Sequence, residues 1–72
     1  MGSRSKDDIK AYFGAHVRKR RLALGLSQER LAEGAGLDRT YVGGVERGTR
    51  NIGLVNIKRI ADALRVRVRD LF

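Results

Sequence analysis

Residues 26–48 read LSQERLAEGAGLDRTYVGGVERG, and this stretch decides the fold. Ser27 offers a side-chain oxygen to the free N–H groups of a helix that starts after it. Gly36 can adopt the positive φ that a tight turn between helices requires. Asp38 has the same capping role as Ser27 for a next helix, expected from Arg39 to about Arg47. The stretch therefore predicts two short helices joined by a glycine-containing turn.

The flanking sequence predicts further short helices, because its apolar residues recur at helical spacing. A first helix is expected from Asp7 to Leu24, with Gly25 just past its end as a C-cap. A fourth is expected near Leu54 to Leu64. The residues expected to face the core of these four helices are Phe13, Val17, Arg21, Leu24, Leu31, Ala32, Ala35, Val42, Val45, Ile57, Ile60, Ala61 and Leu64.

The two ends of the chain are harder to assign. Residues 65–69 alternate arginine and valine, which on periodicity alone favours a strand. A lone strand without a partner is not viable in a monomer, so we expect a turn and a short helix from Val68 to Phe72. Residues 1–6 are expected to be disordered or left over from expression. The fold class is thus all-α, with four or five helices in one domain over residues 7–72.

Composition restricts the function. The 72 residues contain 16 Lys and Arg against 8 Asp and Glu, a net charge of +8, which favours polyanionic partners, nucleic acid first and an anionic membrane surface second. The absence of Cys excludes disulfides and Cys-ligated zinc. No apolar run approaches the roughly 20 residues that span a bilayer, and no signal-peptide pattern follows Met1. We expect a cytoplasmic protein without membrane contact.

The third helix is the candidate DNA reader. Two short helices with this spacing have the proportions of a helix-turn-helix, whose second helix enters the major groove. Opposite its apolar face lie Arg39, Thr40, Tyr41 and Gly44. Gly43 and Gly44 cost roughly 1 kcal/mol each relative to Ala. Two explanations of these glycines remain open: the DNA backbone or bases approach closely at Gly44, or the helix simply tolerates the loss of stability. Tyr41 also has two possible positions, in contact with DNA or packed on the domain surface.

The runs at residues 26–32, 37–48 and 57–64 resemble the lambda-repressor-like (Cro/cI-type) helix-turn-helix family. Within it, LDRTY at residues 37–41 and the Glu46, Arg47, Arg50 and Asn51 pattern resemble the controller proteins of restriction-modification systems, small dimeric regulators of their own operon. The resemblance implies a sequence-specific transcriptional regulator that binds double-stranded DNA.

The resemblance also implies roles for individual residues. Arg39, Thr40, Tyr41 and Gly44 would read bases, and the Arg39 guanidinium can donate twice to guanine. Gln28 would bind a phosphate beside the N-terminus of its helix. The residues that would grip the DNA backbone or the narrow minor groove are Arg47, Arg50 and Asn51. Arg21 and Glu46 stand where the family has a partly buried ion pair, whose role is structural.

The C-terminus contains more apolar residues than a solvent-exposed chain end would carry. A last helix that covers the core accounts for some of these residues, and the resemblance assigns the others to a homodimer interface. The candidate interface residues are Leu54, Ile57, Val66, Val68, Leu71 and Phe72. A dimer would hold two reading helices about 34 Å apart, so the operator would be a near-palindrome. The alternative is a monomer with a hydrophobic tip.

Other functions have less support. An antitoxin or other repressor of the same fold would act partly through a protein partner, but no toxin-neutralising tail is recognisable. No nucleophile and base pair, metal cluster or phosphate loop indicates an enzyme, a cofactor, a metal or a small-molecule ligand. His16 is expected to be a surface residue. The run Arg18, Lys19, Arg20 is either a solvated helix face or a DNA contact.

Overall fold

The structure is a computed structural model that describes residues 5–72. It contains α1 (Lys6–Ala23), α2 (Gln28–Ala35), α3 (Arg39–Arg47), α4 (Leu54–Ala63) and a C-terminal 3-10 helix (Val68–Leu71). The all-α prediction is confirmed, and the described residues contain no strand. The alternating segment at 65–69 forms a turn and the start of the 3-10 helix, as expected from its lack of a partner strand.

The helix ends follow local hydrogen bonding. Ser27 Oγ accepts from Arg30 N at 3.0 Å, which begins α2 as predicted. α1 begins one residue before its predicted start, because Ser5 Oγ accepts from Asp8 N at 3.2 Å. Ser5 and Lys6 therefore belong to the folded domain, and the expectation for residues 1–4 lies outside the described residues. Gly36 has a φ of 69°, which makes the turn between α2 and α3.

A single core joins all the elements. Its buried apolar residues are Phe13, Val17, Leu31, Ala32, Ala35, Val42, Val45, Ile60, Ala61, Leu64 and Leu71. Leu24, expected on the inner face of the first helix, is instead 48% exposed, because α1 ends at Ala23 and the chain turns away. The remaining inner positions were predicted from helical spacing, although Ile57 is only half-buried.

α1 lies directly against α3, and Gly14 permits this approach. A Cβ on Gly14 would collide with the carbonyl oxygens of Val45 and Glu46, so only glycine fits there. The turn after α4 is different, since Arg65 occupies the left-handed region with a φ of 59° although it has a side chain. Among the described helices, none has the length and hydropathy that a membrane crossing requires.

Candidate nucleic-acid interface

The N-terminus of α3 is held by its cap and presents two side chains to solvent. The Asp38 carboxylate accepts from Thr40 N at 2.9 Å and from Tyr41 N at 3.4 Å. Val42 and Val45, on the opposite face, are buried in the core. Arg39 and Thr40 are consequently exposed, as a base-reading role requires, with the backbone beneath them fixed.

Tyr41 lies at the edge of this surface, half-buried between two side chains from later in the chain. Its hydroxyl accepts from Asn56 Nδ2 at 3.3 Å, and the Arg50 guanidinium carbon lies 5.9 Å from its ring centroid. The ring is thus oriented by α4 and by the loop after α3. Sequence reasoning missed Asn56, whose only signal is a polar residue within the apolar start of α4.

Gly44 does not lie on an open outward face, so the position expected for it must be corrected. Gly43 and Gly44 are both buried. The loop after α3 folds back over Gly44, whose carbonyl accepts from Thr49 N at 2.9 Å and from Thr49 Oγ1 at 3.1 Å. The Arg50 side chain then covers the space beside the Gly44 Cα. In the free chain the backbone at Gly44 is therefore covered by the Arg50 side chain.

A buried polar network connects the three N-terminal helices. Arg21 Nε and NH2 donate to the two Glu46 carboxylate oxygens at 2.6 and 3.0 Å, and Arg21 NH1 donates to Leu26 O at 2.8 Å. The hydrogen bonds that Arg21 donates to the Glu46 carboxylate raise the pKa of Arg21 above its ordinary value, and burial opposes the shift only in part. The ion pair implied by the resemblance is present, and it fixes α1 against α3.

Gln28 belongs to the same network. Its Nε2 donates to Glu46 Oε1 at 3.0 Å, so the carboxylate that pairs with Arg21 also holds the first side chain of α2. Gln28 is half-buried, and its amide oxygen and second amide hydrogen remain for other partners. This geometry orients the side chain at the helix N-terminus where a phosphate contact is expected.

The other candidate backbone contacts surround α3. Arg47, Arg50 and Asn51 are exposed. Arg47 crosses over Gly43, since its NH1 would lie 3.2 Å from a Cβ there. With Arg39 these arginines give the exposed side of α3 and its following loop three positive charges.

Two further candidates lie on α1. Arg18, Lys19 and Arg20 are exposed to solvent along its C-terminal half. His16 is half-buried instead of fully exposed. The centroid of its ring lies 4.4 Å from that of the Tyr12 ring, and its Nδ1 donates to Tyr12 O at 3.2 Å. Among residues 5–72, no group of three His, Cys, Asp or Glu side chains is placed to hold a metal ion.

The candidate dimer residues divide into three groups. Leu54, Val68 and Phe72 are exposed by 84%, 37% and 46%. Ile57 and Val66 are half-buried against the core. Leu71 is fully buried, which corrects its assignment to the interface: it fills the core of its own chain and has no surface to offer.

Two neighbouring apolar residues escaped prediction. Val55, next to Leu54, is 66% exposed, and Ile9 on α1 is 39% exposed. Ile9 lines a hollow of about 140 Å³ together with Ile57 and Phe72. Two consecutive apolar residues at the start of α4 were a usable signal, because both cannot face the core.

The chain is similar to known proteins along most of its length. A family model described as helix-turn-helix matches residues 17–71. Control protein C.BamHI of Bacillus amyloliquefaciens is 47% identical over 66 residues, which cover 90% of this chain and 82% of the relative.

Solved structures agree with this similarity. The restriction-modification controller protein C.AhdI from Aeromonas hydrophila matches with a TM-score of 0.88 and 55% identity, over 90% of this chain and 98% of the other. The controller C.Esp1396I, solved as a tetramer in complex with its natural 35 base-pair operator, matches with a TM-score of 0.77 and 36% identity, over 81% of this chain and 76% of the other. The chain therefore belongs to the helix-turn-helix family and, within it, to the controller proteins of restriction-modification systems.

Proposed function

We propose that this protein is a sequence-specific transcriptional regulator that binds double-stranded DNA and controls a restriction-modification operon. The observation that carries the proposal is the N-terminus of α3, where Arg39 and Thr40 are exposed on a backbone fixed by Asp38. The net charge of +8 adds a long-range attraction to DNA. Controller relatives of the same fold, one of them solved on its operator, support it further.

In this proposal α3 lies in the major groove. Arg39 donates two hydrogen bonds to the O6 and N7 atoms of a guanine, and Thr40 and Tyr41 contact neighbouring bases or phosphates. Backbone contacts come from Gln28, Arg47, Arg50 and Asn51. The Gln28 contact uses the amide groups that Glu46 leaves free, beside the N–H groups that open α2.

The protein acts as a homodimer on a near-palindromic operator. The exposed apolar side chains of Leu54, Val55 and Phe72, together with the hollow that Ile57 and Phe72 line, supply apolar surface that one chain leaves in water. A two-fold axis through it would place two copies of α3 about one duplex turn apart. The relative C.Esp1396I was solved as a tetramer on its operator, which supports assembly of more than one copy on DNA.

A regulator of this kind works in the cytoplasm, where its operon lies, and performs no catalysis. It needs no cofactor, metal or small-molecule ligand. Its activity is reversible binding, so its output is set by its own concentration relative to the operator dissociation constant.

The test is a fluorescence anisotropy titration of duplexes selected from a random pool, repeated over a series of salt concentrations. We expect a two-fold symmetric consensus and an affinity that falls steeply as salt rises. The Arg39→Ala variant should lose about 1–3 kcal/mol of discrimination per half-site, while Gln28→Ala weakens all duplexes alike.

The control is Arg59→Ala, which removes an equal charge at an exposed position of α4 outside the proposed DNA contacts. It should leave the preference among duplexes unchanged. Wild-type binding that ignores salt, or a pool that yields no consensus, would refute the proposed function. Unaltered preference in Arg39→Ala would refute the readout by α3.

A further inference from the structure

The Arg50 side chain lies across α3 in a space that a residue with a side chain at position 44 would fill. A Cβ built on Gly44 would lie 2.5 Å from Arg50 Cγ, 3.3 Å from Arg50 Nε and 3.4 Å from Arg50 Cδ. The first separation is far below any van der Waals contact, and it involves an atom near the root of the side chain. Arg50 cannot keep this position beside any residue larger than glycine.

Four further interactions surround the Arg50 side chain at this place. Thr49 donates twice to the Gly44 carbonyl, which folds the loop back onto the helix just before residue 50. The Arg50 guanidinium then lies 5.9 Å from the centroid of the Tyr41 ring, at a distance where a cation and an aromatic face attract each other. Asn56 in turn donates to the Tyr41 hydroxyl and holds the ring.

We infer that Gly44 is a positioning residue for DNA binding: its missing side chain seats Arg50 across α3 and over Tyr41, so that the guanidinium is placed before DNA arrives. The inference rests on the proposed function and extends it, because it assigns Gly44 a role that acts through Arg50 instead of a contact with a base. A long exposed side chain that is already ordered loses less conformational entropy on binding.

Of the two neighbouring glycines of α3, Gly44 is the one whose missing side chain leaves space for Arg50. Gly43 is also buried, but a Cβ there would meet only the ends of two side chains, Arg47 NH1 at 3.2 Å and the Gln28 amide from 3.5 Å. Those ends can move by rotation of their last torsions. Arg50 has to turn its whole side chain away from α3, which removes the contact with Tyr41 as well.

The test is a double-mutant cycle on the full chain, with wild type, Gly44→Ala, Arg50→Ala and the double variant titrated against the operator. We expect Gly44→Ala and Arg50→Ala each to weaken binding by about tenfold, and the double variant to be no weaker than Arg50→Ala. The slope of the logarithm of affinity against that of salt should fall equally in Arg50→Ala and in the double variant, because both lose the Arg50 charge, and by no more than that in Gly44→Ala, which keeps the charge but loses its position.

Gly34→Ala is the matched control. Gly34 is an exposed glycine of α2, and a Cβ there meets Ala63 Cβ at an ordinary 3.6 Å. It gains the same helix propensity as Gly44→Ala and should leave operator affinity and salt slope at wild-type values.

Wild-type affinity and slope in Gly44→Ala would overturn the inference, and so would losses that multiply to about a hundredfold in the double variant. If Gly44→Ala does not fold because the new Cβ collides with Arg50, the double variant decides. Folding restored by removal of the Arg50 side chain supports the inference, and continued unfolding overturns it. Each of these results presupposes a wild type that binds its operator with salt dependence. Wild type without such binding instead refutes the proposed function.

Discussion

Arg21→Met tests the buried network that fixes α1 to α3. The substitution keeps the aliphatic stem and removes the guanidinium, whose side chain is 9% exposed and faces a Glu46 side chain that is 2% exposed. Three hydrogen bonds disappear, two to Glu46 and one to Leu26 O. Among residues 5–72, the Gln28 amide is then the one remaining side-chain partner of the Glu46 carboxylate.

The expected loss follows from that geometry. Removing one partner of a buried ion pair leaves an uncompensated charge, at a cost of about 3–5 kcal/mol. A chain of this length has roughly 4–11 kcal/mol of stability in total, so Arg21→Met should lose a large part of it. The double variant Arg21→Met with Glu46→Met removes both charges. It should lose only about 1–2 kcal/mol, because Gln28 and the Leu26 carbonyl still lose their partners.

The assay is urea unfolding followed by far-ultraviolet circular dichroism at one fixed protein concentration, since the proposed dimer would contribute to the apparent stability. Arg20→Met, an exposed neighbour on α1, is the control and should change stability by less than about 0.5 kcal/mol. Loss of less than about 1 kcal/mol in Arg21→Met would refute the reasoning. A double variant less stable than Arg21→Met would refute it as well.

The pH dependence of this loss has a definite sign. Hydrogen bonds to the Glu46 carboxylate raise the pKa of Arg21 in the folded chain, so the stability that this group contributes is complete below the ordinary arginine pKa. It disappears only as pH rises through the raised value. The cost of Arg21→Met should therefore be the same on both sides of neutral pH.

Two other predictions concern the surface and the turn after α4. Leu54→Lys should weaken dimerisation by at least about a hundredfold in sedimentation equilibrium, because each dimer loses two buried leucines at roughly 1.5–3 kcal/mol each. Leu22→Lys adds the same charge at another exposed leucine and should leave dimerisation unchanged. Equal dissociation of the two variants would contradict the proposed interface. Arg65→Gly should raise Tm by about 4–8 °C by relieving a left-handed residue. Arg67 has an ordinary φ of −82°, so Arg67→Gly is the control that removes the same charge without relieving a left-handed residue. An unchanged Tm in Arg65→Gly, or an equal rise of Tm in both variants, would show that the turn carries no strain.

Features that depend on neighbours in sequence were predictable. Ser27 and Asp38 cap α2 and α3 where their side-chain chemistry requires, and Gly36 makes the turn between them. The reason is that a cap hydrogen bond spans only two or three residues, so the sequence contains all of it.

Features that depend on contacts between residues distant in the sequence could not be predicted. Helical spacing places Gly44 opposite Val42, but it says nothing of the loop that returns to cover it. Likewise an apolar residue such as Leu71 satisfies a core and an interface equally well, and only the packed chain distinguishes them. The Asn56 to Tyr41 hydrogen bond joins two helices, and a single polar residue within the apolar start of α4 does not identify its partner.

The exposure of Arg39 and Thr40 has an evolutionary consequence. Their side chains extend into solvent, while the cap carboxylate of Asp38 holds the main chain beneath them. Exchanges at these two sites scarcely alter folding, so under the proposed readout a lineage can acquire a new target sequence by few mutational steps without passing through unstable intermediates.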